Sequence, residues 1–213
     1  MSQVVLDRLQ KKFAHAIVAT HNRFGNETAV IRKEDLVAVC EFLKTDAATQ
    51  MSMIMDVTVV DWLEDPLRVE KRSEEAERFE VVYHLYSLEK GHRIRLKVGT
   101  DGDPPHVPSV FSVWKGCEWF EREAYDMYGV IFDGHPDLRR ILLYPEFVGH
   151  PLRKDYPIDK RQPLIENRLR AVNYGTTGVT GDAVVMNSPL VQIGRRKNKG
   201  ETSAEQNEGT KHV

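Results

Sequence analysis

The chain has 213 residues, 41% hydrophobic and 29% charged, an ordinary balance for one main domain with a real core plus appendages. Its 30 Lys and Arg against 32 Asp and Glu leave no overall excess that would point to nucleic acid or an anionic membrane as a general partner. Only two cysteines occur, Cys40 and Cys117, far apart and with no CxxC or His-rich neighbourhood, too few ligands for an iron–sulfur cluster or a structural zinc within this chain.

The opening MSQVVLDRLQKKFAHAI lacks the apolar core of a signal peptide, and no uncharged apolar run approaches the about 18 residues of a membrane span. The expectation is a protein of the reducing cytoplasm, or one bound to something that is, with both cysteines acting as small buried hydrophobes. Residues 3–14 place Val4, Val5, Leu9 and Phe13 at helical spacing, and 16–19 read as a short strand. A turn at 22–26 containing Gly25 leads to a second strand at 28–32. Residues 33–44, apolar at 36, 37, 39, 40 and 43, form a helix packed on one face.

Strands follow at 53–62, 79–88 and 93–98. The β-branched run Val57–Val60 predicts that the first is buried on both faces. The other two are joined by a hairpin turn at 89–92 around Gly91, and in the last Ile94, Leu96 and Val98 alternate with Arg93, Arg95 and Lys97, so one face is wet. Between the first and second of these strands RVEKRSEEAER is a charge run, expected as an exposed loop. After Pro104, Pro105 and Pro108, Ser109 can cap a helix running to Tyr128, with Gly129 as its stop. This order predicts an α+β fold, a mixed sheet with helices packed on one side, followed by an extended C-terminal arm. The expected organisation is an α+β domain over 1–128, an arm over 129–165 and a disordered tail over 166–213 ending GRRKNKGETSAEQNEGTKHV.

On the 109–128 helix, steps of about 100° place Val110, Val113, Trp114, Cys117, Ala124 and Tyr128 on one stripe with Glu121 in its middle. A carboxylate facing an apolar interior needs a cationic or donor partner, and Arg139 and Arg140 are the available candidates. Glu121 could carry a raised pKa and move a proton, but a structural ion pair is the favoured expectation. Glu118 with Arg122, and Arg122 with Asp126, stand at surface-pair spacing. Trp119 points away from the stripe, as an anchor for a partner or a site covered by the chain's own C-terminal segment.

Residues 121–157, EREAYDMYGVIFDGHPDLRRILLYPEFVGHPLRKDYP, hold two Gly-His-Pro units, each followed by Leu and Arg. His135 and His150 supply half of a metal site at most, and each precedes a proline that enforces extended backbone, which favours a rigid arm over metal binding. ERE, YDM, GHPDLRRIL and GHPLRKDYP together closely resemble the signature of the complex I C-subunit family, the 30-kDa subunit of the mitochondrial enzyme. The resemblance implies a subunit of the hydrophilic arm that itself binds no flavin, metal or cluster. It packs against the D subunit, which helps to form the quinone site, and lies near the B and I subunits. The whole enzyme passes electrons from NADH through FMN and iron–sulfur clusters in partner subunits to quinone, and couples this to proton translocation. The expected location is peripheral, on the cytoplasmic side of the cell membrane, with membrane contact through the complex only.

Within that frame Glu121, Arg122, Glu123 and Asp126 are the residues expected to join helix and arm. His135, Asp137, Arg139, Arg140, His150, Arg153, Lys154 and Asp155 are the candidates for the subunit interface. Three alternatives stay open: the equivalent subunit of a related membrane-bound hydrogenase or other donor:quinone oxidoreductase, a free-standing adaptor, and an independent enzyme using Glu121, Glu123, Asp126 and His135 for acid–base chemistry. The last lacks a phosphate-binding glycine loop, a nucleophile elbow or a metal motif.

Overall fold

The computed structural model describes residues 3–63 and 77–163. The tail expected over 166–213, and most of the charge run, lie outside the described residues. Helix α1 (Gln3–Phe13) turns Val5, Leu6 and Leu9 inward. Strands β1 (Ile17–Arg23) and β2 (Asn26–Ile31) form an antiparallel hairpin. Its two turn residues, Phe24 and Gly25, both adopt positive φ, the geometry whose twist suits flanking strands. The first strand therefore runs further than the sequence pattern showed. A 3-10 turn, Lys33–Asp35, feeds helix α2 (Leu36–Thr45), which buries Leu36, Val39, Cys40 and Leu43 at helical spacing.

Strands β3 (Met53–Asp61), β4 (Phe79–Tyr86) and β5 (Arg93–Thr100) complete a five-stranded sheet of order β1-β2-β5-β4-β3. The β2–β5 pair is parallel and the others antiparallel, so the sheet is mixed, in an α+β fold as expected. The hairpin turn between β4 and β5 closes through Ser87 and His92, with Gly91 at φ 65°. The expectation that the Val57–Val60 run is buried on both faces is corrected. Strand β3 lies at the sheet edge and alternates, with Val57 and Val59 buried and Thr58 exposed. It is β4, flanked on both sides, that buries five residues in succession. Position in the sheet, which a β-branched run does not encode, decides two-sided burial.

Inward-facing Ala29, Ile31, Val57, Val59, Val81, Tyr83, Leu96 and Val98 meet the apolar faces of α1 and α2 in one core. The core continues to Val110, Val113, Trp114 and Cys117, and the Trp114 indole donates to the Met51 carbonyl at 3.1 Å. The helix expected over 109–128 is shorter: α3 spans Glu118–Tyr128, preceded by a 3-10 turn, Lys115–Cys117. Upstream, β6 (His106–Pro108) pairs in parallel with β7 (Ile131–Asp133), and the Ser109 amide donates to the Asp133 carbonyl. That pairing and the extended backbone of Trp114 are incompatible with a helix from Ser109. The apolar stripe is nonetheless buried, because successive tight turns point Val110, Val113 and Trp114 the same way a helix would.

Candidate functional site

Helix α3 and the segment wound around it bring together most of the residues singled out in the sequence. The wrapping follows from the backbone. A helix leaves its last carbonyls without intrahelical partners, and here each has one. Gly129, at φ 77°, returns its amide to the Tyr125 carbonyl. The Asp126 carbonyl accepts from His150 Nδ1 at 2.9 Å, and that of Met127 from the Leu152 amide at 3.1 Å. The Tyr128 carbonyl accepts from the Arg153 guanidinium. Cations at this end also complement the helix dipole. A Cβ at Gly129 would come within 2.6 Å of both Arg153 and the His150 ring, so glycine is needed for the approach as well as for its φ.

Asp126 is the centre of the arrangement. Its carboxylate, fully buried, receives Arg140 at 2.6 Å and the successive amides of Ile141, Leu142 and Leu143 at 3.1, 2.8 and 2.8 Å. Burial pushes this carboxyl up, but the Leu143 amide, Arg140 and the amides of Leu142 and Ile141 outweigh it and hold it below the usual carboxylate range. Arg140 reaches onward to the carbonyls of Phe147 and Gly149 at 3.0 and 3.1 Å. The surface pair expected between Arg122 and Asp126 does not form. Arg122 instead donates to the carbonyls of Arg139 and Arg140, fastening the segment one turn earlier.

Glu121, also fully buried, has neither Arg139 nor Arg140 as partner, which corrects the expectation of an ion pair. Its oxygens accept from the Ser109 hydroxyl at 2.6 Å, the Val110 amide at 2.9 Å and the Cys117 thiol at 3.4 Å. His135 Nε2 stands 3.9 Å away and bonds the Glu118 carbonyl at 3.2 Å, while its Nδ1 accepts from the Asp137 amide at 3.1 Å. Burial raises the Glu121 pKa, and the bonds from Ser109, Val110 and Cys117, with nearby His135, offset this only in part. Both cysteine thiols are buried, and burial drives their pKa values upward, the reverse of a reactive thiolate.

A further buried carboxylate, Asp61 at the end of β3, pins the far part of the segment through the Lys154 amide at 2.9 Å. Arg78 grips the same carboxylate at 2.8 Å and Asp155 at 3.0 Å. Burial raises the Asp61 pKa, but Arg78 and the amides of Lys154 and Leu63 more than offset it and hold the group low. Arg153 is completed by Asp103 at 3.0 Å. Sequence reasoning missed Asp61, Arg78 and Asp103, and took Ser109 for a helix cap where it is the partner of Glu121. Composition places Arg78 in the exposed charge run, yet it is only 23% exposed. The available signal is its place immediately before the apolar strand that starts at Phe79.

Other predicted residues face outward. Arg139 pairs with Asp137 at 2.9 Å in the open, Glu123 and the Lys154 side chain are exposed, and Trp119 is 67% exposed. The segment expected to depend on other surfaces for its order takes much of that order from its own chain. It presents Leu142, Val148, Leu152 and Ile158 to solvent at 63, 53, 51 and 104% exposure. Among the described residues no group of three or more His, Cys, Asp and Glu converges as a metal site would.

Residues 29–162 match the family described as respiratory-chain NADH dehydrogenase, 30 Kd subunit. The chain is 48% identical over 181 residues to the C subunit of the NADH-quinone oxidoreductase of Caulobacter vibrioides, covering 84% of each. It is similar to the solved trypsin-resistant fragment (1–134) of Nqo5, with a TM-score of 0.51 and 29% identity over 64% of this chain and 98% of that one. A chain of the membrane-bound sulfane sulfur reductase, an archaeal respiratory membrane complex, shares the fold, with a TM-score of 0.58 and 23% identity over 73% of this chain and 85% of that one.

Proposed function

Because the chain belongs to the family of C subunits of NADH-quinone oxidoreductase, the 30-kDa subunits of respiratory-chain NADH dehydrogenase, we propose that it serves that enzyme as a cofactor-free structural part of the hydrophilic arm. Electrons pass from NADH through FMN and iron–sulfur clusters of partner subunits to quinone, and this chain holds part of the scaffold along which they move. Its partners are chiefly the D subunit, with B and I nearby. It sits on the cytoplasmic side of the membrane and meets the bilayer through the complex. No described helix is long and apolar enough to cross a membrane, which agrees with peripheral attachment.

The observation that carries this proposal is the way the titratable groups are used. Asp126, Asp61, Arg140, Arg153 and His150 are committed to fixing backbone, and the segment they fix turns apolar side chains outward. Such a surface is organised before it meets a partner, which lowers the ordering cost of association. Acid–base catalysis by Glu121 and Asp126 would need one of them to reach a substrate, and both are fully buried.

Affinity capture of the chain from membranes, followed by mass spectrometry, should recover quinone-oxidoreductase subunits including D, B and I; capture without them would remove the proposal. Arg139→Ala, at an exposed site, should lower quinone-linked NADH oxidation through poorer assembly by about threefold or more, the scale of a rim charge contact. Reduction of artificial acceptors by NADH should persist. A fall in the latter with the complex intact would mean that the chain takes part in the chemistry.

A further inference from the structure

The segment that follows α3 contains a second fastening, which the helix itself does not need. Arg140 holds the carbonyls of Phe147 and Gly149, and the residue between them, Val148, is held by a different side chain. The Gln162 carboxamide accepts from the Val148 amide at 2.9 Å and donates to the Val148 carbonyl at 3.1 Å. These are the two bonds that a residue of an antiparallel strand exchanges with the residue opposite it. One side chain thus stands where a neighbouring strand would. The carboxamide also donates to the Tyr156 hydroxyl, so both of its N–H groups are used. Tyr156 stacks on Phe147 with ring centroids 6.1 Å apart, Phe147 meets Tyr144 edge-on at 5.6 Å, and the Tyr144 hydroxyl donates to the Pro163 carbonyl at 3.4 Å. Residues 144–163 therefore close into a loop whose two ends are joined and whose own rings pack together.

The exposure of this loop gives the fastening its meaning. Main-chain groups at the surface can bond to water without ordering anything else, whereas holding an arginine and a glutamine in one geometry costs rotamer entropy. What the loop gains is a fixed position for an apolar side chain. Val148 is 53% exposed, both of its own main-chain groups are gripped by Gln162, and the carbonyls on either side are gripped by Arg140. Arg140 also binds the Asp126 carboxylate, so the place of Val148 is tied to α3. A side chain whose backbone is pinned in advance loses little further freedom when a partner covers it.

We propose that Gln162 is a positioning residue for subunit assembly: acting as a one-residue strand, it sets Val148 in the place where that side chain makes an apolar contact with a neighbouring subunit of the oxidoreductase. This rests on the role of the chain as a structural subunit and deepens it, naming one contact and the residue that aims it.

The test places a photoreactive residue at position 148 of the full chain in the intact membrane complex, with and without Gln162→Met, which keeps the length of the side chain and removes its hydrogen bonds. With Gln162 in place, the expected crosslink joins position 148 to apolar residues of another subunit. Gln162→Met should lower that crosslink, per assembled complex, by about fivefold or more, the scale of one lost hydrogen bond. In the purified chain, deuterium exchange at the Val148 amide should quicken by about tenfold or more while the midpoint of global unfolding holds, as for a local opening. The proposal is overturned if position 148 captures only its own chain or lipid, or if Gln162→Met leaves the crosslink at the wild-type yield. It is overturned equally if the unfolding midpoint falls together with the crosslink, because Gln162 would then be a residue of folding alone. Failure of the family role looks different, since the chain with its native Gln162 would be recovered from membranes without oxidoreductase subunits.

Discussion

Glu121 and Asp126 lie on the same short helix, both fully buried, and are held in opposite ways. Asp126 has a guanidinium and three successive amides and stays ionised. Glu121 has a hydroxyl, one amide and a thiol, no guanidinium, the His135 imidazole 3.9 Å away, and a pKa raised by burial. The contrast shows what a buried carboxylate is for in this fold. Charged and saturated, it can organise a loop that has no secondary structure of its own; without a counter-ion, it tends toward the neutral form and ties two neighbouring turns together.

The largest test of that contrast is Asp126→Ala. It leaves Arg140 without its counter-charge and three amides without an acceptor, and should cost about 3–5 kcal/mol in urea unfolding, the cost of breaking one side of a buried pair. Proteolysis between residues 139 and 154 should accelerate in parallel. If stability fell by less than about 1 kcal/mol, Asp126 would not be the organising charge. Gly129→Ala comes next, at about 1–3 kcal/mol, because the new methyl meets Arg153 and His150 while the residue stays at positive φ.

Glu121→Gln keeps the shape and should change stability by less than about 1 kcal/mol near neutral pH. Its value lies in the pH profile. A carboxyl whose folded pKa is raised above 4.5 contributes stability that is complete below 4.5 and is lost as pH rises through the folded value. Asp126, depressed below 3.8, contributes stability that is complete above 3.8 and is lost as pH falls through its folded value. The gap between wild type and Glu121→Gln should therefore shift in favour of the variant as pH rises above 4.5. A gap that stayed flat with pH would mean that folding does not raise the Glu121 pKa. The smallest effect on folding is expected for Trp119→Ala, within about 0.5 kcal/mol at so exposed a site. Loss of partner subunits from its captured complex would mark Trp119 as a contact, and an unchanged complex would exclude it.

Alternation makes the strands of the sheet legible in the sequence, best in β5, where each inward residue is flanked by a cation. The helix stop at Gly129 is legible too, as is the importance of the segment 121–157, through its doublets. The pattern misleads where burial and conformation part company. Val110, Val113 and Trp114 are spaced as on a helix, yet tight turns bury them equally well, and the helix begins only at Glu118. An arginine partner for Glu121 follows only if that carboxyl is ionised. Ser109, twelve positions upstream, becomes its partner through the β6–β7 pairing, which three-residue strands do not announce. Asp61 stands before the charge run and Arg78 is its last residue, and their meeting needs the β3–β4 pairing, which sets Asp61 opposite Phe79.

The closure of α3 by residues 150, 152 and 153 has a consequence for biogenesis. During synthesis the helix leaves the ribosome with its last turn unfinished, and the donors that complete it arrive only with the later segment. The surface offered to neighbouring subunits and the final turn of the core helix are thus completed in one event. A chain that stalls or is cut before residue 150 would lack both at once, so incomplete copies would be poor competitors for a place in the assembly.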